Sequence, residues 1–188
     1  MDGVEAFGKL MEGNRRYSEG RPLAPRRGSD RRKETAGGQK PFAIVLTCSD
    51  SRVVPEILFD QGIGDIFVVR VAGNVVDDLV LGSIEYAATH LSIPLLLVLG
   101  HDDCGAVKAA IAEGVPEGHS GSFIDVIRPV IAEDAAGDPV KAVHDNTLNV
   151  VRQLEGSTPI LKAMVEAGKL SVRGVHYDIT SGLVTEIG

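Results

Sequence analysis

The sequence predicts an α/β protein with a mainly parallel sheet of four to five strands flanked by helices. Three apolar segments typical of buried strands, residues 42–46, 66–72 and 94–100, alternate with amphipathic segments typical of helices. This alternation indicates parallel strands joined by right-handed crossovers. The first and third segments end abruptly at polar residues, and in parallel sheets the chemistry lies at the carboxyl ends of strands.

The segment before the first strand, residues 1–38, is predicted to be a helical arm. Apolar residues recur at helical spacing between residues 4 and 17, which predicts an amphipathic helix. Residues 20–32 are rich in Pro, Gly and Arg and are predicted to be extended, with a short helix near residues 30–36. Because the arm has little core of its own to bury, we expect it to pack on a second subunit.

Residues 39–188 are predicted to form the α/β core, so that residues 1–188 make a single domain. Prolines at helix starts and glycines at helix ends delimit the helices. Helices are predicted over residues 55–59, 77–91, 104–113, 122–133, 140–154 and 158–167. Residues 170–179 are predicted to form a fourth strand, with residues 184–187 as its hairpin partner.

The composition excludes several classes of function. The net charge of −7 argues against nucleic-acid binding by the chain as a whole. No apolar run approaches the length of a membrane span, and the first residues lack the features of a signal peptide, so we expect a cytoplasmic protein without membrane contact. The 2 cysteines are too few for a disulfide framework and favour a metal-binding or catalytic role.

Cys48, His101 and Cys104 follow two of the predicted strands. Two thiolates and one imidazole are donors that suit Zn²⁺. His101 and Cys104 lie in one turn that enters a helix, so both could reach a single ion, while Cys48 comes from a neighbouring strand end. Three protein ligands leave one tetrahedral position open, which is typical of a catalytic rather than a structural zinc.

Two other interpretations of these residues stay open. Both cysteines could be buried and inert, since free cysteine is often buried, with His101 a structural histidine. The two thiols could instead form a redox pair, although that role has no use for His101 and lacks the Cys-x-x-Cys spacing. The inert alternative leaves Asp50 and Arg52 unexplained, because charged residues are costly to bury unless they are paired.

Asp50 has two possible roles beside a metal. It could be a fourth ligand, which would close the site, or it could pair with Arg52 and accept a hydrogen bond from a metal-bound water. In the second case a bidentate contact with Arg52 would keep the carboxylate ionised. A surface ion pair of little consequence is the remaining alternative.

The sequence resembles the β-class carbonic anhydrases over most of its length, from about residue 4 to residue 187. The resemblance rests on four segments: CSDSRV at 48–53, DIFVVRVAGN at 65–74, SIEYA at 83–87 and GHDDCGA at 100–106. It implies that Cys48, His101 and Cys104 bind one Zn²⁺ per chain and that Asp50 and Arg52 form a catalytic dyad. It also implies a homodimer, or a dimer of dimers, in which N-terminal helices embrace the partner.

The resemblance further implies reversible hydration of CO₂ to bicarbonate and a proton through zinc-bound hydroxide, for which carbonic anhydrase is itself the standard example. Two thiolates donate more charge than two imidazoles, so we expect an alkaline pH optimum. Some bacterial members have a tryptophan where Val45 stands here, so we expect an open site with water rather than Asp50 on the zinc. The alternatives are hydrolysis of carbonyl sulfide or carbon disulfide, and a non-catalytic zinc-binding regulatory protein.

Gln39, Phe67, Gly73 and Tyr86 are the candidates for substrate binding. The resemblance places Phe67 and Tyr86 in a CO₂ pocket at the dimer interface, and a small apolar substrate requires an apolar pocket. Gln39 corresponds to a glutamine that binds substrate in plant-like members, and Gly73 is a candidate for a main-chain contact. Ordinary core, loop and turn positions are the alternatives for these four residues.

Overall fold

The computed structural model describes residues 1–112, 114–116, 118–131, 135 and 137–188. In these ranges the strands are β1 (Ala43–Thr47), β2 (Ile66–Arg70), β3 (Leu95–His101), β4 (Ser171–Tyr177) and β5 (Val184–Ile187). They form one 5-stranded sheet in the order β2-β1-β3-β4-β5. All neighbouring pairs are parallel except β4 and β5, which are antiparallel. The predicted fold class is confirmed, including the terminal hairpin.

The helices of the described ranges lie on both faces of this sheet. They are α1 (Gly3–Ser18), α2 (Ser29–Thr35), α3 (Pro55–Leu58), α4 (Asp78–His90), α5 (Gly105–Ile111), α6 (Gly121–Ile127), α7 (Pro139–Gly156) and α8 (Leu161–Glu166). None of them combines the length and the hydropathy that a membrane span requires.

Two helices differ from their predicted bounds, one at its end and the other at its start. The helix predicted over 122–133 stops as an α-helix at Ile127 and continues as the 3₁₀ turn Arg128–Val130, because Pro129 has no N–H for an α-helical bond. The helix predicted from residue 158 begins at Leu161. Glu113 and Glu133, the predicted ends of two helices, lie outside the described residues.

Aspartates fix the starts of three helices. Asp2 forms a capping box with Glu5 at the start of α1. Asp77 accepts a hydrogen bond from the first turn of α4, and Asp138 does so for α7. Each cap satisfies backbone amides that have no partner inside the helix, so these helices begin at defined residues.

The two central strands are buried along their whole length, as expected for parallel strands covered on both faces. Successive side chains of β1 enter opposite layers. Ala43 and Val45 pack in a cluster with α1 and α3, whereas Ile44 and Leu46 pack with α4 and α7. This packing fixes the register in which Thr47 of β1 lies beside Leu99 of β3, so the carboxyl ends of both strands meet.

Helix α1 packs on the sheet of its own chain. Ala6 and Leu10 are both 0% exposed and belong to the same cluster as β1 and β3. The expectation that the whole arm has little core of its own is therefore wrong for α1. The expectation fits α2 better, because α2 buries no residue within the chain. Contact between the arm and a second subunit stays a prediction.

Arginines of the arm bind two buried aspartates of the core. The Asp60 side chain is 0% exposed; it accepts hydrogen bonds from Arg16 Nε at 2.7 Å and from the Ala24 amide at 2.8 Å. Asp65 accepts from Arg26 Nε at 2.9 Å and Nη2 at 2.6 Å. These contacts fasten the extended part of the arm, because a buried carboxylate that loses its partner is strongly destabilising.

Asn14 ties α1 to two distant parts of the chain. It is 1% exposed, and its Nδ2 donates to the Leu58 carbonyl at 3.1 Å and to the Gly182 carbonyl at 2.9 Å. Its Oδ1 accepts from the Val184 amide at 2.8 Å. One side chain therefore satisfies three backbone groups that water does not reach.

We expect Asn14→Leu to lower the free energy of unfolding by about 3 kcal/mol, because it leaves these buried backbone groups without partners. Urea unfolding followed by circular dichroism, at a fixed zinc concentration, measures the change. Gly8→Ala is the control in the same helix, since a Cβ there meets nothing within 4 Å; it should leave stability unchanged or raise it by up to about 1 kcal/mol. Equal stability of Asn14→Leu and the native chain would contradict this account.

Candidate metal centre

The three predicted metal ligands meet at the carboxyl ends of the central strands. Cys48 directly follows β1, His101 ends β3, and Cys104 is the N-cap of α5. The two sulfurs lie 4.0 Å apart, and the three ligand atoms all lie within 4.8 Å of one another. Tetrahedral sulfur ligands of one zinc ion lie about 3.8 Å apart, so this spacing suits a shared ion.

The protonation pattern of His101 also fits a metal. Its Nδ1 is 2.7 Å from the Asp102 carbonyl oxygen, which accepts only from a protonated nitrogen. Its Nε2 is buried without a hydrogen-bond partner, and the residue is 0% exposed. A neutral histidine with this pattern offers the Nε2 lone pair to a cation, and a backbone carbonyl on the other nitrogen is the usual support for such a ligand.

Two neighbouring thiols hold only one negative charge easily. The hydrogen bond from Cys104 is the main cause that lowers the pKa of Cys48. The same bond, together with burial, raises the pKa of Cys104. The second thiol thus resists ionisation while it lies beside the first thiolate. A divalent cation removes that cost, because coordinated thiols are deprotonated. The donor set therefore fits Zn²⁺.

Asp50 and Arg52 form a bidentate ion pair beside this centre. Arg52 Nε donates to Asp50 Oδ1 at 3.0 Å, and Nη2 donates to Oδ2 at 2.7 Å. The hydrogen bond from Arg52 lowers the pKa of Asp50 to about 2, so the carboxylate is ionised at neutral pH. The group of possible metal ligands among the described residues comprises Cys48, His101 and Cys104, without Asp50.

Several residues that support the site were not among the sequence candidates. Arg70 at the end of β2 donates to the Cys48 carbonyl at 3.2 Å and to the Asp50 carbonyl at 2.7 Å. Arg70 therefore fixes the backbone that carries the predicted ligand Cys48 and the carboxylate of Asp50. It lies opposite Thr47 in the β1–β2 pairing, a relation that only the strand register reveals.

The two acids inside the His-x-x-Cys turn have separate partners. Asp102 Oδ1 lies 2.8 Å from His176 Nε2 on β4. Asp103 pairs with Lys108 and also with Arg52, whose Nη1 is 3.4 Å from its Oδ2. One acid thus anchors the turn to the sheet, and the other links the turn to the guanidinium that holds Asp50.

Of the four candidates for substrate binding, Gly73 contacts a predicted metal ligand, since its amide donates to Cys48 Sγ at 3.4 Å. Phe67 is half-buried and packs in the cluster with α4. Tyr86 is 48% exposed and stacks on His90 at 4.9 Å between ring centroids. Gln39 is exposed ahead of β1. The expected roles of Phe67 and Tyr86 at a dimer interface and of Gln39 in binding substrate stay predictions.

A mainly parallel sheet flanked by helices, with a buried Cys₂His group and an adjoining Asp–Arg pair, is typical of an α/β metalloprotein. Comparison with known proteins narrows this class. A family model described as carbonic anhydrase matches residues 43–184. A carbonic anhydrase of Mycolicibacterium smegmatis is 44% identical over 190 residues, which cover 96% of this chain and 91% of that protein.

Solved structures give the same result. A Coccomyxa β-carbonic anhydrase in complex with acetazolamide has a TM-score of 0.76 at 35% identity, covering 82% of this chain and 75% of that one. A tetrameric β-carbonic anhydrase of Sordaria macrospora has a TM-score of 0.74 at 29% identity, covering 83% of this chain and 85% of that one. The chain belongs to the carbonic anhydrase family, in its β-class, and the resemblance seen in the sequence is confirmed.

Replacing Arg52 should raise the pKa of Asp50 from about 2 towards the ordinary 3.8, because the hydrogen bonds that stabilise the carboxylate are lost. The stability that Asp50 gains from the pair is complete above 3.8 and is lost as the pH falls towards 2. Carboxyl carbon NMR across this range measures the titration. Arg52→Gln should show the larger rise, although the main-chain N–H of residue 52 still donates to Asp50 Oδ1; Arg52→Lys should show a smaller one, since lysine keeps the charge without the bidentate geometry. An unchanged titration in Arg52→Gln would disprove the assignment.

Proposed function

We propose that this chain catalyses the reversible hydration of CO₂ to bicarbonate and a proton, with one Zn²⁺ held by Cys48, His101 and Cys104. The observation that carries the proposal is the convergence of these three ligand atoms within 4.8 Å beside an ionised carboxylate. A buried Cys₂His set leaves one tetrahedral position for water or substrate, as catalytic zinc sites do. Residues 1–188 would act together as a single catalytic domain.

Zinc at this position supplies a Lewis acid that makes water nucleophilic near neutral pH, and carbonic anhydrase is the standard example of that chemistry. The ionised Asp50 carboxylate has no proton to donate and only accepts hydrogen bonds. Its role would be to take a hydrogen bond from the reacting water and to orient that water towards CO₂. Arg52 keeps the carboxylate in place and ionised through its two side-chain hydrogen bonds.

We further propose the open form of the site, in which Asp50 stays with Arg52 and is not a zinc ligand. Two charge-assisted bonds would have to break before Asp50 could turn towards the metal. Asp103 also contacts Arg52, which favours the same position of the guanidinium. Val45, at the position where some bacterial members have a tryptophan, is 0% exposed within the core.

A homodimer, or a dimer of dimers, is the proposed assembly. The Sordaria relative is described as tetrameric. On α4 of this chain, Leu79 is 82% exposed and Tyr86 is 48% exposed, and apolar side chains exposed together mark contact surfaces. In such an assembly Phe67 and Tyr86 would complete an apolar pocket for CO₂ at the subunit interface, and Gln39 would donate a hydrogen bond to the substrate. A cytoplasmic location stays a prediction.

Stopped-flow CO₂ hydration on protein of known zinc content tests the reaction. Cys48→Ser should lose both zinc and activity, because it removes a thiolate ligand. Asp50→Asn should keep its zinc but lower kcat/KM by about 100-fold or more, since an amide accepts the same hydrogen bond more weakly and carries no charge.

Two outcomes would contradict this function. Zinc-loaded protein that does not hydrate CO₂ would favour a non-catalytic zinc-binding role. Faster turnover of carbonyl sulfide than of CO₂, measured side by side on the same preparation, would favour the hydrolase alternative.

Light scattering coupled to gel filtration should give a mass of at least twice the 19.9 kDa of one chain. Leu79→Glu should lower that mass, because it places a charge in the proposed interface. Val115→Glu is the matched control, because Val115 is 93% exposed and lies outside α4, the helix that carries Leu79 and Tyr86. A mass of one chain for the native protein at micromolar concentration would refute the proposed assembly.

A further inference from the structure

A short turn after β2 lies against the metal centre. It is the 3₁₀ turn Ala72–Asn74, in which Gly73 has a φ of 68°. This backbone conformation strongly favours glycine. The Gly73 amide donates a hydrogen bond to Cys48 Sγ at 3.4 Å, and Gly73 is buried. One backbone donor therefore points at a sulfur of the proposed zinc site.

The carbonyl of the same glycine is held from a different part of the chain. Asn146 of α7 donates from Nδ2 to the Gly73 carbonyl at 2.8 Å, and Asn146 is 2% exposed. The two bonds run in series, from Asn146 to Gly73 and from Gly73 to Cys48. The side chain of a helix 73 residues away in sequence thus reaches a metal ligand through one glycine.

Apolar groups restrict the turn on its other sides. A Cβ built on Gly73 would lie 2.5 Å from Ile127 Cδ1 and 3.1 Å from Ala106 Cβ. Helices α5 and α6 therefore leave no room for the turn to move towards them. These contacts limit where the turn lies, but dispersion contacts are not directional and do not fix the orientation of a peptide group. The hydrogen bond from Asn146 orients the peptide that follows Gly73, and this restricts the torsions of Gly73 that direct its own N–H.

We infer that Asn146 is a positioning residue for the metal centre. It fixes the peptide group between Gly73 and Asn74, and through the backbone torsions of Gly73 it keeps the preceding peptide N–H directed at Cys48 Sγ; this inference rests on the zinc site proposed above. A hydrogen bond to a thiolate ligand reduces the charge that the sulfur donates and fixes the direction of its lone pairs. Loss of such an outer contact typically costs 10- to 100-fold in metal affinity.

Thr147, the next residue of α7, provides a matched control. It is 0% exposed, and its Oγ1 has no hydrogen-bond partner. It packs directly on Gly100, which precedes the ligand His101, because a Cβ on Gly100 would lie within 2.5 Å of Thr147 Oγ1. Thr147→Val is therefore an isosteric change at a buried position close to the metal centre. It removes no hydrogen bond.

The test compares Asn146→Leu, Asn146→Asp and Thr147→Val with the native chain. Zinc affinity is measured by competition with a chromogenic chelator, and the sulfur-to-metal charge-transfer absorption is recorded on cobalt-substituted protein. Both Asn146 variants should bind zinc about 10- to 100-fold more weakly and show a shifted charge-transfer band. Thr147→Val should stay within about twofold of the native affinity with an unshifted band, since it leaves the ligands' hydrogen bonds intact.

Asn146 variants that lose stability in urea but keep the native charge-transfer band would overturn the inference, because a purely structural asparagine predicts that result. If neither variant folds, NMR of the native protein loaded with cadmium decides. A scalar coupling between the metal and the Gly73 amide proton supports the inference, and its absence overturns it. Native protein that binds cobalt without any thiolate charge-transfer band would instead refute the proposed zinc site itself.

Discussion

The repulsion between two buried sulfurs is the constraint on which the rest of this structure depends. Cys48 and Cys104 lie 4.0 Å apart where little water reaches them. At that distance two thiolates are costly unless a positive charge or hydrogen-bond donors compensate. The surrounding fold supplies one such donor, the Gly73 amide, and the unpartnered Nε2 of His101 completes a set of three donor atoms that a divalent cation would bridge. The parallel pairing of β1 and β3 makes this possible by bringing two strand ends together.

The charges around the centre form a linked network. Arg52 binds Asp50 and Asp103, Asp103 also binds Lys108, and Arg70 holds the backbone on either side of Ser49. Each of the exposed contacts is weak alone, because solvent screens it. Linked together, they give the carboxylate of Asp50 one preferred orientation beside the proposed metal ligands. Orientation of this kind, more than stability, is what a reaction on a small substrate requires.

The sequence predicted those parts of the site whose residues are close to a strand end. Cys48, His101 and Cys104 each follow an apolar run, so their meeting follows from the rule that parallel strands share an edge. Arg70 also lies at a strand end, that of β2, but its role could not be found in this way, and neither could that of Asn146. The first depends on the β1–β2 register and the second on a contact between α7 and a turn far away in sequence. No local pattern encodes either relation.

The helices show the same limit. Periodicity located α1 and α4, but it did not reveal that α1 packs on its own sheet or that Leu79 of α4 is 82% exposed. An amphipathic pattern predicts that one face of a helix is buried, but it does not predict which part of the protein covers that face. Leu79 stands about 100° around the helix from its buried neighbour Val80, outside the stripe that Val80, Ile84 and Ala87 form.

The contacts of Asn14 have a consequence for the way the molecule is made. Its side-chain oxygen binds the amide of Val184, a residue 170 positions later. A ribosome releases the amino end first, so α1 emerges long before its anchoring strand exists. During that interval the apolar face of this helix has no complete docking surface and is open to chaperones. Docking of α1 is therefore completed only after Val184 of β5, 170 positions later, has been synthesised.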